Sequence, residues 1–133
     1  MNELSLYEDF TSFNGWFKGL NNLEYFEGSM YLNTKNVTDF TSMFEGCEKV
    51  QEVIFGVTKG KNGNFVAIEN ENSIKTTNMF KGCSGLNTLM FDGIKDISEG
   101  TDMLDGCTNL NTIMLSDKLN KNLTDDLGLA EST

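Results

Sequence analysis

The chain contains no histidine, no arginine and no proline, and it has only three cysteines. Without histidine it lacks the commonest general base and the commonest metal ligand. Without arginine it lacks the side chain best suited to gripping phosphate with two parallel hydrogen bonds. All ten basic residues are lysines, set against twenty acids, for a net charge of −10. So acidic a chain is repelled by nucleic acid and by anionic membranes, and direct nucleic-acid binding is set aside. No run approaches the ~18 apolar residues of a membrane span, so no membrane insertion is expected. Residues 1–9 carry neither the basic nor the apolar region of a secretory signal. Taken literally, that places the chain in the cytoplasm. A piece of a longer protein would instead be compatible with secretion or the cell surface, and localisation stays open.

What is present is a repeat. The strings Met43-Phe44-Glu45-Gly46-Cys47, Met79-Phe80-Lys81-Gly82-Cys83 and Met103-Leu104-Asp105-Gly106-Cys107 share one pattern, with a weaker first copy in Trp16-Phe17-Lys18-Gly19-Leu20. Their glycines are 27, 36 and 24 residues apart. The period lies in the leucine-rich-repeat range, and the second interval holds an insert. With 133 residues, 38% of them hydrophobic, a single domain over 1–133 with a modest core is expected.

Within each unit, the segment before the glycine predicts a short helical turn. Thr38 or Asp39 can cap it, Phe40, Met43 and Phe44 share one helical face, and Gly46 suits its left-handed end. A strand follows. Val50, Val53 and Phe55 match Leu86, Leu89 and Phe91, then Leu110, Ile113 and Leu115, and in the first unit Leu23, Phe26 and Gly28. That spacing sends alternate residues inward. In the insert, 56–72, Asn62-Gly63 between β-prone runs predicts a hairpin. Leu119, Leu123 and Leu127 predict a capping helix within a C-terminal cap, 118–133, while residues 1–12 cap the other end. The expected fold is an α/β leucine-rich-repeat solenoid of about four units, with repeats over 13–117.

The strings around Val37–Cys47 and Met79–Leu89 resemble the BspA-like bacterial leucine-rich repeat, whose pattern is roughly N-V-T-x-M-x-x-M-F-x-G-C-x-x-L-T-x-L-x-L. The resemblance spans about residues 12 to 117. It implies a non-catalytic module that binds other proteins, of the kind found on bacterial surfaces as adhesins.

No catalytic, cofactor-binding or metal site is expected. The three cysteines occupy equivalent positions, so they should form a buried ladder of unpaired thiols, and Leu20 in the first unit suggests packing rather than chemistry. Trp16, aligned with the signature methionines, reads as core. The carboxylate pairs Glu69/Glu71 and Asp125/Asp126 read as solvated charges, since a general acid needs desolvation.

The outward strand positions form two columns: Tyr25, Glu52, Thr88, Thr112, and Glu27, Ile54, Met90, Met114. The second sets three apolar residues in a row on an exposed sheet, which suggests a contact surface for another protein, with a homodimer left open. Burial under the hairpin or the C-terminal helix, or a slip of one residue in register, would undo this. The alternative function is a small acidic inhibitor, such as a phage-encoded one, seated in the basic groove of a nuclease or other nucleic-acid-binding protein.

Overall fold

The structure is a computed structural model that describes residues 10–28, 32–116, 119 and 121–130. Most of the expected N-terminal cap lies outside them. Eight strands are present: β1 (Tyr25–Glu27), β2 (Glu52–Phe55), β3 (Val57–Lys59), β4 (Phe65–Ala67), β5 (Asn70–Lys75), β6 (Thr88–Phe91), β7 (Ile94–Glu99) and β8 (Thr112–Leu115). The chain winds as a β-solenoid of about four turns, with no helix among the described residues.

One wall is a four-stranded parallel sheet in the order β1-β2-β6-β8. Its register pairs Tyr25 with Glu52, Glu52 with Thr88 and Thr88 with Thr112, as the repeat alignment requires. Val53, Phe55, Leu89 and Phe91 are buried behind it. A second wall has no counterpart in the sequence-based expectation. There β5 pairs in parallel with β7, and isolated bridges carry the pairing from Lys75 to Asp39 and on to Ser12. The short third-unit link Asp92-Gly93 leads straight from β6 into β7. In the second unit β3 and β4 intervene as an antiparallel hairpin, as the Asn62-Gly63 signal predicts, while Asn70 onward belongs to β5.

The expected helical turns are absent, which makes the fold all-β rather than α/β. The apolar pattern was sound, since Phe40, Met43 and Phe44 are all buried. The hydrogen bonding differs. Amides of Ser42, Phe44 and Gly46 donate to the Thr77, Met79 and Lys81 carbonyls of the next coil, at 3.0, 2.8 and 2.8 Å. The alternate amides of Met43, Glu45 and Cys47 reach three residues back, to Phe40, Ser42 and Phe44. Every other N–H thus points along the solenoid axis, and none is left for a bond to the fourth residue back. The geometry needs left-handed residues four apart: Ser42, Asn78 and Asp102 have φ of 59°, 57° and 58°, and Gly46, Gly82 and Gly106 have 78°, 79° and 82°. A left-handed residue at that frequency is incompatible with an α-helix.

The capping helix is likewise replaced by a single closed turn. The Asn122 side chain accepts from the Thr124 and Asp125 amides, and its carbonyl accepts from Asp126 and Leu127 at 3.0 and 3.2 Å. Gly128, with φ of 81°, then ends the turn, so the start of a helix forms with no length in which to propagate. Leu127 is buried, and its carbonyl accepts from Leu104 at 2.8 Å, the bond Phe80 makes to Met103 one coil earlier. It therefore stands where a further signature methionine would.

Aromatic ladders fill the core. Phe17, Phe44 and Phe80 stack in sequence with centroids 5.3 Å apart at each step, and Phe55 stacks on Phe91 at 4.2 Å. Coils repeat at about the strand spacing of ~4.8 Å, so identical rings at identical positions meet face to face.

Candidate functional site

Both outward columns stand as the alignment places them. Glu27, Ile54, Met90 and Met114 are direct partners across β1, β2, β6 and β8, so the apolar stripe is contiguous on one sheet face. It remains open: Ile54 and Met90 are half-buried, and Met114 is 48% exposed. Tyr25, at the head of the other column, is 63% exposed, with Thr112 exposed at its foot and Glu52 and Thr88 half-buried between.

Beside that column, where each chain segment bends into its strand, lies a groove of about 480 Å³ lined by Tyr25, Gln51, Glu52, Asn87, Thr88 and Asn111, together with Asn109. The bend residues Gln51, Asn87 and Asn111 stack coil on coil. The Gln51 carbonyl receives the Asn87 and Thr88 amides, and the Asn87 carbonyl receives those of Asn111 and Thr112. Their side chains are oriented by hydroxyls from the next residue or the neighbouring coil. Thr88 Oγ1 donates to Asn87 Oδ1 at 3.1 Å, Thr112 Oγ1 to Asn111 Oδ1 at 2.8 Å, and Tyr25 Oη to Gln51 Oε1 at 3.4 Å. This amide column was missed in the sequence, although the recurring Asn-Thr at 87–88 and 111–112 is a visible sign of it.

The cysteines form the expected ladder. Each thiol donates to a carbonyl one coil back: Cys47 to Phe17 at 3.1 Å, Cys83 to Phe44 at 3.1 Å and Cys107 to Phe80 at 3.2 Å. All three are buried and free of disulfides. Burial raises the pKa of each, that of Cys107 to about 12, so at neutral pH they are protonated and poor nucleophiles. Leu20, at the equivalent place in the first coil, is 47% exposed rather than packed. Trp16 also departs from expectation. It is 41% exposed and packs on Phe13 at 4.3 Å and edge-on to Phe10 at 5.2 Å, since the first coil has a neighbouring coil on one side only among the described residues.

The carboxylate pairs serve surface contacts. Lys95 lies between Glu69 and Glu71, and its hydrogen bond to Glu71 raises its pKa. Asp126 accepts the Asn122 amide at 2.7 Å. Asp39, expected to cap a helix, closes a turn instead. Its carboxylate accepts from Thr41 N and Asn14 Nδ2, at 2.9 and 3.2 Å. Burial pushes its pKa up, but those bonds and the Lys75 charge outweigh it and hold the group below its usual value.

No family matches. In comparisons with protein-family models, curated proteins and solved structures, nothing was found to match this chain.

Proposed function

We propose that this chain is a non-enzymatic protein-binding module of the adhesion or scaffold kind, a short leucine-rich-repeat array that uses no cofactor. The observation that carries this reading is the in-register row Ile54, Met90 and Met114, left open on the outer face of a paired sheet. Contiguous apolar surface on a soluble fold favours contact with a partner, and methionine adapts to irregular surfaces. Tyr25 and Thr88 extend the surface, Thr112 borders it, and Glu27 and Glu52 supply an acidic rim. The resemblance of the Met-Phe-x-Gly-Cys strings to BspA-like repeats points the same way.

The test is Ile54→Lys combined with Met90→Lys. Partner capture is lost while the melting temperature stays nearly unchanged. A large fall in melting temperature would show that the two side chains are core, and would remove the proposal.

One observation favours a second reading. Glu24, Glu27 and Glu52 lie in or next to β1 and β2 on a chain of net charge −10, an acidic edge suited to the basic groove of a nuclease or other nucleic-acid-binding protein. Salt separates the two. An inhibitor held by carboxylates releases its target steeply above physiological ionic strength, whereas a contact made by the apolar stripe does not.

A further inference from the structure

We infer that the amide-lined groove at the strand entries is a binding site for neutral glycan chains. It is distinct from the apolar stripe, although Tyr25, Glu52 and Thr88 border both.

The chemistry follows from which groups remain unused. An asparagine side chain offers one carbonyl oxygen and two N–H donors. In Asn87 and Asn111 the oxygen accepts a hydrogen bond from the hydroxyl of the following threonine, and no acceptor for either NH₂ group occurs among the described residues. Gln51 repeats the arrangement through the Tyr25 hydroxyl. Asn109 differs: its Nδ2 donates to the Ser84 carbonyl at 2.9 Å, and its oxygen stands beside it as an acceptor. The groove therefore presents a row of oriented N–H donors from Gln51, Asn87 and Asn111, one from each of three successive coils, with the Glu52 carboxylate and the Asn109 oxygen as acceptors beside them.

A sugar ring matches that set. Its hydroxyls both accept and donate, and its apolar C–H face packs on an aromatic ring. Tyr25 supplies such a ring, 63% exposed and steadied through its hydroxyl by Gln51. Donors repeated at ~4.8 Å suit a polymer better than a monosaccharide. The net charge of −10, with Glu52 in the groove, disfavours acidic sugars and phosphates. An extended peptide fits less well. Apart from Gly85 and the Tyr25 ring the lining is polar, so it offers little to anchor a peptide's apolar side chains.

The test is calorimetric titration of the whole chain with maltohexaose, cellohexaose and chitohexaose, and with a neutral glycine–serine peptide of similar length. The expected result is saturable binding of at least one hexasaccharide, weakened about tenfold or more by Tyr25→Ala and by Asn87→Asp, which replaces the donor with an acceptor of equal size. Both side chains are exposed, so both variants keep the wild-type melting temperature. Ile54→Lys retains the binding, which separates this site from the protein-binding stripe. Three outcomes overturn the proposal: no saturable binding of any hexasaccharide, binding undiminished in both variants, or a peptide that binds the groove as tightly as the best sugar.

Discussion

Thr76 stands one coil along from Phe40, at the same buried position, and its hydroxyl meets no partner among the described residues. The backbone sets the equivalence. Phe13 donates to Asp39, Phe40 to Lys75 and Thr76 to Glu99, at 2.8, 2.8 and 2.7 Å. The column continues to Gly100, where an added Cβ would lie 2.6 Å from Leu127 Cδ2. Side chains in this column thus shrink along the array, and the closing turn fills the space with Leu127.

Thr76→Val should therefore stabilise the protein. Valine keeps the shape and removes a buried hydroxyl that costs about 1–3 kcal/mol when unpaired, less whatever the site relaxes. A gain of about 1 kcal/mol in urea unfolding is expected. A loss would mean that the hydroxyl does have a partner in solution.

Asn70 is the opposite case, a buried amide with its bonds made. Its Nδ2 donates to the Thr34 and Val37 carbonyls, both at 2.8 Å, and its Oδ1 accepts from the backbone and side chain of Asn72 at 3.0 and 2.9 Å. Asn70→Ala strands those carbonyls and detaches the 33–37 loop from β5. A loss of about 3 kcal/mol is expected from the unfolding midpoint. A change below about 1 kcal/mol would show that water replaces the amide readily.

Two glycines with positive φ should respond differently. At Gly93, φ is 79° and an added Cβ would collide with the Ile68 carbonyl oxygen, whereas at Gly63, φ is 83° with nothing within 4 Å. Gly63→Ala then carries only the left-handed penalty of about 1–2 kcal/mol. Gly93→Ala adds displacement of the Ile68 backbone in the link between β4 and β5 and should cost clearly more. Equal losses in thermal unfolding would contradict the close approach.

The thiol ladder predicts loss of stability in alkali. An unfolded thiol ionises near 9.0 and folded Cys107 at about 12, so between those values the folded state binds more protons. The stabilisation is complete below pH 9.0 and is lost as pH rises through the folded value of about 12. Unfolding free energy should fall across that window, and less steeply in Cys107→Ala. Iodoacetamide should label the native chain at pH 8 no faster than it unfolds. Rapid labelling would show that the thiols are reachable.

The coil count, the register of the four-stranded wall, the cysteine ladder and the hairpin at Asn62-Gly63 were all legible in the residues. Each depends on a repeated spacing, which carries a position from one unit to the next whatever the local conformation. The two outward columns followed from that register. Local conformation in the corners was not legible. Phe40, Met43 and Phe44 would face inward on a helix as they do here, and what separates the two is where the amides of Ser42, Phe44 and Gly46 donate. Their acceptors, Thr77, Met79 and Lys81, lie a full coil away. The second wall was missed for the same reason, since Asp39 bridges to Ser12 and Lys75 with no alternating pattern of its own. The amide groove arises only when Gln51, Asn87 and Asn111 are stacked. Sequence periodicity thus determined which residues are equivalent, and tertiary structure decided which neighbour each backbone amide bonds, because those partners meet only once the coils are wound.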